Sequence, residues 1–313
     1  MKKYLVTGGA GFIGSHLVSH LATMGHQVRV LDDLSSGRIG NLQRQADLVI
    51  GNVCDPDAVM RASSGCDGIF HLAAVTSVAR SAEDGVGTHR VNQGATIAVL
   101  DAARRRGNLP IVFASSAAIY GEQCPAMEHL SPAPRSAYGA DKAGSELHLQ
   151  AGWWSFGQPS AAMRFFNVFG PRQDPASPYS GVISVFLSRA LANSPLIIHG
   201  DGLQSRDFIF VEDVVRFLSH AMDRLHQRPE HFTCNVCTGK ATTIRRLAEM
   251  VATIAGSPVR IVHGATRTGD IHHSRGDSHL AARLLGVNAE IHLEAGLSAT
   301  MQWIKARSLR AVS

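Results

Sequence analysis

Three residues in the middle of the chain have the types and spacing needed for proton transfer. Tyr138 and Lys142 stand four positions apart in a stretch that predicts a helix, so their side chains share one helix face. A nearby ammonium group lowers the pKa of a phenol from about 10, and such a tyrosine can exchange a proton with a substrate hydroxyl. Ser116 follows the apolar run Ile111–Ala114. Taken singly, these features have simpler interpretations: a solvated Tyr/Lys helix face, and a serine in a turn.

A glycine-rich stretch near the N-terminus could bind phosphate. Gly8, Gly11 and Gly14, with Gly9 between them, follow the strand-like run Lys3–Val6 and precede a helical pattern. Side chains at these positions would block the turn, the approach of backbone amides to a pyrophosphate, or helix packing on the strand. The helix N-terminus would then face the phosphates with its positive dipole end. A purely structural turn also needs glycine, but the strand and helix around it favour a dinucleotide site.

An acidic residue after the second predicted strand indicates which dinucleotide binds. Asp32 ends the run Gln27–Leu31 and lies 18 positions after Gly14. A carboxylate at this separation accepts hydrogen bonds from the adenine ribose and repels a 2′-phosphate. The sequence therefore predicts NAD rather than NADP.

Alternating strand and helix patterns position these residues. Strands are predicted at 3–6, 27–31, 48–50, 68–72 and 110–114, and helices at 12–24, 56–63, 91–105 and 137–154. This alternation predicts an α/β fold with a Rossmann-type, doubly wound parallel sheet, whose ligands bind at the carboxyl ends of the strands.

Composition excludes several classes of protein. The 313 residues carry a formal charge of +5, with no apolar run long enough to span a membrane and no basic–aromatic module for nucleic acid. Five cysteines in an odd, irregular set fit a reducing cytoplasm, and the Cys234–Cys237 spacing lacks a second pair. Sixteen scattered histidines form no ligand cluster, so no metal site is expected.

Together these motifs make the chain resemble the extended short-chain dehydrogenase/reductase family, specifically its NAD-dependent nucleotide-sugar epimerases and dehydratases. The likeness is greatest to epimerases that act at C4 of UDP-glucose and UDP-N-acetylglucosamine. The matching motifs extend over nearly the whole chain: Thr7–Gly14, Asp32, His71–Ala74, Asn92, Ser115–Ser116, Tyr138–Lys142, Arg164–Pro171, Gly200–Gly202, Arg206–Phe208, Asn235–Gly239 and Arg267–Asp270.

The resemblance implies a bound NAD and the residues that hold it. They would contact the pyrophosphate, the ribose, the adenine or the nicotinamide: Gly8, Gly11, Phe12, Ile13, Gly14, Asp32, Asp33, Ser36, Gly37, Asn52, Val53, Leu72, Ala73, Ala74, Asn92, Ser115, Tyr138, Lys142 and Phe166. Two of them depart from the family pattern, because Asn52 replaces a usual Asp and Asp33 a frequent Asn. We therefore expect altered adenine contacts.

The resemblance also implies a UDP-sugar substrate. Its contacts would be Ser116, Tyr138, Asn167, Val182, Arg206, Arg267, Asp270 and Ser274. The arginines suit diphosphate charge and geometry, although either alone would be assigned to a surface salt bridge. We expect residues 1–167 to form the NAD-binding domain, with 207–238 returning to it. Residues 168–206 and 239–313 would form a smaller, discontinuous α/β substrate domain.

The implied reaction is reversible epimerisation at C4 with Ser116, Tyr138 and Lys142 as catalytic residues. Tyr138, as phenolate, takes the C4 hydroxyl proton while hydride passes to NAD; the transient 4-keto sugar then turns and regains hydride from enzyme-bound NADH. Related dehydratases and decarboxylases carry acidic residues where this chain has Ala117 and Ala118. Such an enzyme, or a non-catalytic NAD-binding regulator, is the alternative.

The resemblance further suggests the sugar, the assembly and the setting. A tyrosine at the position of Ser274 restricts related enzymes to UDP-glucose and UDP-galactose, so the small Ser274 predicts UDP-N-acetylglucosamine and UDP-N-acetylgalactosamine as accepted or preferred substrates. A serine that merely begins a loop is the simpler alternative. The helices predicted at 91–105 and 137–154 would build a four-helix homodimer interface. A cytoplasmic enzyme of surface polysaccharide biosynthesis is expected.

Overall fold

The computed structural model describes residues 1–43, 46–174, 181–256, 259–266 and 271–310. Its strands are β1 (Lys3–Thr7), β2 (Gln27–Asp32), β3 (Asp47–Ile50), β4 (Gly68–His71), β5 (Ile111–Ser116), β6 (Ser160–Phe165), β7 (Asn167–Phe169), β8 (Leu196–His199), β9 (Ser205–Phe210), β10 (His231–Val236), β11 (Ala241–Thr243), β12 (Ile261–Gly264) and β13 (His273–Ser274). Its α-helices are α1 (Phe12–Thr23), α2 (Pro56–Ala62), α3 (Val78–Glu83), α4 (Gly85–His89), α5 (Ala95–Arg105), α6 (Ala137–Phe156), α7 (Val182–Leu191), α8 (Val211–Gln227), α9 (Ile244–Ala255), α10 (His279–Leu285) and α11 (Leu293–Arg310).

Among the described residues, seven parallel strands form the main sheet in the order β10-β6-β5-β4-β1-β2-β3. The order changes direction at β1, which pairs with β2 on one side and β4 on the other. An open parallel sheet binds its ligand at such a switch point, outside the carboxyl ends of the strands. The predicted α/β, Rossmann-type doubly wound sheet is confirmed, and the glycine-rich turn leaves this point.

Alternating side chains of β1 explain why helices cover both faces of this sheet. Tyr4 and Val6 are buried in a cluster with residues of α1 and α8, whereas Leu5 is buried on the other face with residues of α2, α5 and α6. Successive strand side chains point to opposite faces, so an almost wholly apolar strand needs a helical layer on each side. These layers fix the positions of the loops at the sheet's edge.

A smaller set of strands lies beyond the main sheet. In the described part of the chain, β9 pairs with β11, β13 and β7, and β8 pairs with β12. A separate apolar cluster forms around α7, α9 and α11. The strand at 205–210 thus belongs to this smaller sheet, while α8 packs on the main sheet and β10 forms its edge. The proposed domain boundaries stay a prediction.

Two helix and strand boundaries differ from the sequence prediction. The helix predicted at 91–105 begins with the π-helical turn Arg90–Gly94, and α5 follows it. Strand β5 continues through Ser115 and Ser116, so both serines are strand residues. In the described ranges, no helix has the length and apolar character needed to cross a membrane.

Candidate active site

The turn after β1 brings the backbone of two strands into contact. Gly8 has a φ of 69°, and its N–H donates to the Leu31 carbonyl oxygen at 2.9 Å. A Cβ atom on Gly8 would lie 2.7 Å from the backbone nitrogen of Ala73. Glycine is therefore required here both by the positive φ and by the close approach of the segment after β4.

The N-terminus of α1 fits a phosphate group. Helix α1 begins at Phe12, after Gly11, and no side chain caps it. A Cβ atom on Gly14 would overlap the carbonyl oxygen of Gly8. Helix and turn therefore pack directly on each other, and the first-turn N–H groups, including those of Phe12 and Ile13, are the kind that bind a pyrophosphate. These residues fit NAD.

Asp32 lies at the end of β2 and organises the next loop. Its carboxylate is buried and accepts hydrogen bonds from the N–H groups of Ala10 and Leu34, each at 2.9 Å. A Cβ atom on Gly37 would lie 2.7 Å from its Oδ1. A carboxylate has about four lone-pair sites, so Asp32 can still accept from a ribose hydroxyl.

The other predicted adenine-side residues lie around this loop. Asp33 and Ser36 are exposed, and the Asp33 carboxylate accepts from Ser35 N at 3.0 Å. Asn52 is exposed and its side-chain oxygen accepts from Cys54 N at 2.8 Å, whereas Val53 is buried. The side-chain oxygen of Asn52 is thus hydrogen-bonded within the turn that Asn52 itself begins.

The segment after β4 is held by a chain of buried hydrogen bonds. The imidazole of His71 is hydrogen-bonded to the Thr7 hydroxyl at 2.7 Å and to the Thr96 hydroxyl at 3.2 Å. Burial lowers the pKa of His71 to about 3, so it is neutral at pH 7. The Asn92 amide accepts from Val75 N at 2.8 Å and donates to Val75 O at 3.0 Å. These bonds fix the half-buried predicted nicotinamide-side residues Leu72, Ala73 and Ala74.

Ser116 and Tyr138 meet at the carboxyl end of β5. Ser116 lies close enough to Tyr138 for its side chain to oppose the rise in the tyrosine pKa, and Ser116 Oγ accepts from Ala118 N at 3.1 Å. Tyr138 is the second residue of α6, which is capped by the side chain of Ser136. A serine from a strand end and a tyrosine from a helix start thus lie close together.

Lys142 is buried one turn further along α6. Its Nζ donates to the Ala114 carbonyl oxygen at 2.7 Å, lies 4.5 Å from the centre of the Phe113 ring and 5.9 Å from that of Tyr138. Burial lowers the pKa of Lys142 to about 7, against the charges of Glu146 and Asp141.

The expected lowering of the Tyr138 pKa is wrong for this geometry. Burial raises the pKa of Tyr138, and the nearby Ser116 side chain opposes that change. Helical spacing predicted that Tyr138 and Lys142 share a face, but it carried no information on how deeply that face is buried. Desolvation disfavours the charged phenolate and outweighs the opposing effect of Ser116.

A buried polar network behind the catalytic residues was not predicted. The Ser115 hydroxyl donates to the Glu146 carboxylate, which also binds Arg164 through Nε at 3.0 Å and Nη2 at 2.6 Å. Arg164 Nη1 donates to the Tyr120 hydroxyl at 2.7 Å, and that hydroxyl donates to Asn235 Oδ1 at 2.7 Å. Glu146 follows Lys142 by one helical turn, a spacing that could have identified it. The Ser115 hydroxyl is thus used within the protein.

Four predicted substrate residues lie on or beside the smaller sheet. Asn167 is exposed and begins β7, and Val182 is half-buried and begins α7. Arg206 on β9 pairs in register with Ser274 on β13, which brings these two predictions together. Arg206 Nη1 donates to Ser205 O at 2.9 Å. The predicted contacts Arg267 and Asp270 fall outside the described residues.

Phe166, predicted to contact NAD, is buried just after β6. Its ring centre lies 6.4 Å from that of Tyr120. A Cβ atom on Gly276 would lie 2.8 Å from the same ring. Phe166 therefore packs between the segment after β5 and the segment after β13.

Known proteins resemble this chain over almost its whole length. A UDP-glucose 4-epimerase of Mycolicibacterium smegmatis is 35% identical over 313 residues, covering 97% of this chain and 99% of the relative. The structure of a UDP-N-acetylglucosamine 4-epimerase from Methanobrevibacter ruminantium, in complex with UDP-N-acetylmuramic acid, superposes with a TM-score of 0.93 at 34% identity, covering 98% and 99% of the two chains. A Thermus thermophilus UDP-glucose 4-epimerase in complex with NAD gives 0.89 at 33% identity, covering 97% and 99%.

The family model also includes the site. The model that matches residues 4–237 is described as the NAD dependent epimerase/dehydratase family. This range contains the glycine-rich turn, Asp32, Ser116, Tyr138 and Lys142. The predicted family and cofactor are confirmed: the chain is an NAD-dependent enzyme that belongs to the NAD dependent epimerase/dehydratase family.

Proposed function

We propose that this protein interconverts UDP-hexoses that differ at C4, through a transient 4-keto sugar. We also propose that UDP-N-acetylglucosamine and UDP-N-acetylgalactosamine are substrates together with, or in preference to, UDP-glucose and UDP-galactose. The observation that carries the proposal is that Ser116, at the end of β5, lies close to Tyr138 at the start of α6, with Lys142 one helical turn away, in a chain whose glycine-rich turn fits NAD.

The chemistry follows from the properties of these three side chains. Bound NAD would supply a hydride acceptor for C4 and return the hydride afterwards. Tyr138 takes the proton of the C4 hydroxyl, and Ser116 donates a hydrogen bond to the oxygen on which charge develops. Because burial raises the pKa of Tyr138, the phenolate needs a cation nearby, and Lys142 Nζ at 5.9 Å from the ring centre can provide it.

The segment after Ser116 supports epimerisation over elimination. Ala117 and Ala118 occupy the short 3₁₀ turn at the end of β5, where a carboxylate could reach the substrate. The first acidic residue after Ser116 is Glu122, which is exposed and ion-paired with Arg135. Without an acidic side chain at 117 or 118 to drive elimination or decarboxylation, we expect the keto sugar to be reduced again.

The proposed sugar preference rests on Ser274. This small residue lies next to Arg206, the proposed diphosphate contact, in the parallel pairing of β13 with β9. We expect a tyrosine there to fill the space that a 2-acetamido group would need. The names of the relatives include enzymes for both UDP-glucose and UDP-N-acetylglucosamine, so sugar choice must be measured.

The test is proton NMR of the sugar signals after incubation with UDP-N-acetylglucosamine and, separately, UDP-glucose. We expect the matching galacto-epimer from each, without added NAD, and faster conversion of the N-acetylated sugar. Release of a keto sugar or a pentose would instead identify a dehydratase or decarboxylase. No conversion with NAD supplied would refute the proposal. Tyr138→Phe is the inactive control.

Two variants separate the size of residue 274 from its hydroxyl group. We expect Ser274→Tyr to lose turnover of the N-acetylated sugars while retaining that of UDP-glucose. Ser274→Ala removes the hydroxyl but keeps the space, so the preference should stay. Undiminished turnover of UDP-N-acetylglucosamine by Ser274→Tyr would contradict the assignment.

We propose a homodimer because an apolar surface is exposed on α5 and α6. Ile97, Leu147 and Trp154 are 41%, 61% and 78% exposed. Packing these helices against a second copy would bury them in a four-helix interface. Light scattering of the wild type and of Leu147→Asp tests this, and a monomeric wild type would refute it. The cytoplasmic location and a role in surface polysaccharide synthesis stay predictions.

A further inference from the structure

Asp207 is a fully buried carboxylate next to the proposed diphosphate contact Arg206. It accepts four hydrogen bonds. Oδ1 accepts from the backbone N–H of Thr238 at 2.9 Å and from its hydroxyl at 2.7 Å. Oδ2 accepts from the N–H groups of Gly239 at 2.9 Å and Gly276 at 3.4 Å.

These partners come from two separate parts of the chain. Thr238 and Gly239 form the turn between β10 and β11, whereas Gly276 follows β13 and lies two residues after Ser274. Burying a carboxylate is unfavourable unless hydrogen bonds replace its hydration. Asp207 therefore ties the turn after the main sheet's edge strand to the segment that carries the proposed sugar-selecting residue.

That segment has little freedom to move. A Cβ atom on Gly276 would lie 2.6 Å from Cys237 Sγ and 2.8 Å from the Phe166 ring. On its outer side, Ala126 N donates to Arg275 O at 2.8 Å. The 274–277 segment thus packs against Cys237 and Phe166 and is hydrogen-bonded to the loop after β5. The hydrogen bond from Gly276 N to Asp207 sets its distance from β9.

We propose that Asp207 is a positioning residue for sugar recognition: it holds the 274–277 segment so that Ser274 keeps a fixed distance from Arg206 and leaves room beside C2 of the sugar. The inference rests on the proposed function, because it concerns the same site. Arg206 and Asp207 are consecutive on β9, so their side chains point to opposite faces of the strand. One would bind the diphosphate while the other fixes the neighbouring segment.

Asparagine cannot replace aspartate here. In the wild type, backbone N–H groups donate to both carboxylate oxygens. An amide has one oxygen and one NH₂ group, so in either orientation of the amide the NH₂ group would face a backbone N–H donor and could not accept from it. Asp207→Asn should therefore release either the Thr238–Gly239 turn or Gly276. The volume of the side chain hardly changes, which isolates the hydrogen bonds from packing.

Asp213 provides a matched control. It is also fully buried, and its carboxylate accepts from the N–H groups of Glu290 at 3.1 Å and Ile291 at 2.9 Å and from Arg216 Nη1 at 3.0 Å. The segment that it holds precedes α11 and contains none of the proposed site residues. Asp213→Asn should therefore lower stability, partly through loss of the ion pair with Arg216, without changing sugar recognition.

The experiment compares calorimetric dissociation constants of UDP and UDP-N-acetylglucosamine, and KM and kcat for both N-acetylated and plain UDP-hexoses. For Asp207→Asn we expect the affinity for UDP-N-acetylglucosamine to fall about tenfold more than that for UDP, consistent with losing one charge-assisted hydrogen bond. KM should rise by a similar factor with kcat within about threefold of wild type. The preference between the two sugar types should move toward unity.

Equal weakening of UDP and UDP-N-acetylglucosamine, or the same change in Asp213→Asn, would overturn the proposal. If Asp207→Asn does not fold, Thr238→Val removes one of the four donors, and a smaller shift in the same ratio is then required. The binding measurement does not depend on turnover. A wild-type protein that binds UDP-sugars without epimerising them would refute the proposed function, and the binding ratio would still decide the role of Asp207.

Discussion

The buried ion pair Glu146–Arg164 provides a stringent test of how the catalytic helix is held. Arg164 Nη2 lies 2.6 Å from Glu146 Oε2, and the two side chains are 6% and 8% exposed. Burial opposes the charge on Arg164, yet the hydrogen bond and charge of Glu146 raise its pKa. The pair joins α6 to β6, and the Ser115 hydroxyl bound to Glu146 adds β5. The position of Tyr138 relative to Ser116 depends on these elements.

Removing one partner should be far more harmful than removing both. Glu146→Leu or Arg164→Met leaves an uncompensated buried charge, which costs about 3–5 kcal/mol of unfolding free energy. The double variant removes both charges of the pair and loses the hydrogen bonds that Ser115 and Tyr120 make with it, so we expect a total loss of about 1–3 kcal/mol. The double-mutant cycle of Glu146→Leu and Arg164→Met should therefore give a coupling free energy of about 3 kcal/mol or more.

The assay is urea unfolding followed by circular dichroism and tryptophan fluorescence on the four proteins. The exposed pair Arg104–Asp101, at a similar 2.9 Å, is the matched control, and Asp101→Asn should change stability by less than about 1 kcal/mol. The double variant should keep its fold but lose about tenfold in kcat, because α6 is less firmly placed. Single variants that cost less than about 1 kcal/mol, or a coupling near zero, would refute the reasoning.

Three further predictions follow from single residues. Burial lowers the pKa of Lys142 to about 7 from 10.5. Between these two pH values the unfolded chain binds more protons than the folded one, so Lys142 should make wild-type stability rise from pH 7 to pH 10.5. Lys142→Met should be inactive but should resist urea better than wild type, most clearly below pH 7, where the wild type carries a buried charge. Burial lowers the pKa of His71 to about 3 from 6.5, so the unfolded chain takes up the proton first, and His71 should contribute a fall in stability of about 1.4 kcal/mol per pH unit below pH 6.5. His71→Gln should make the fall in urea midpoint from pH 7 to pH 5 less steep, although the half-buried His16 also contributes to it. Gly8→Ala must place a Cβ atom 2.7 Å from Ala73 N at a φ of 69°, so the purified variant should contain little NAD, measured by the absorbance of its denatured extract. The control Gly25→Ala is also at positive φ but has open space around it. It should lose stability and keep its NAD.

The sequence predicted the parts of this protein that depend on local pattern. Apolar runs predicted five of the seven strands that the described residues form in the main sheet, and the glycine spacing predicted the turn after β1. Tyr138 and Lys142 could be placed on one helix face because helical periodicity relates positions four apart. Each of these features depends on residues within a few positions of one another, and a single sequence contains that information directly.

The features that escaped prediction join distant residues. Arg164 lies 18 residues after its partner Glu146, and the Asp207 partners Thr238 and Gly276 lie 31 and 69 residues beyond it. No spacing rule relates such positions, because the topology of the sheets brings them together. Burial was missed for the same reason, and with it the direction of the Tyr138 pKa.

Contacts between distant residues also explain how this fold keeps charged side chains buried at the site. Lys142 must be an ammonium ion for the proposed proton transfer, yet burial lowers its pKa to about 7. Glu146 opposes this loss of charge, but a lone buried carboxylate would itself be neutralised, so Arg164 is needed behind it. Arg164 in turn places Nη1 on the Tyr120 hydroxyl. Each buried charge thus requires the next, and the catalytic residues that the sequence identified depend on a network that it could not.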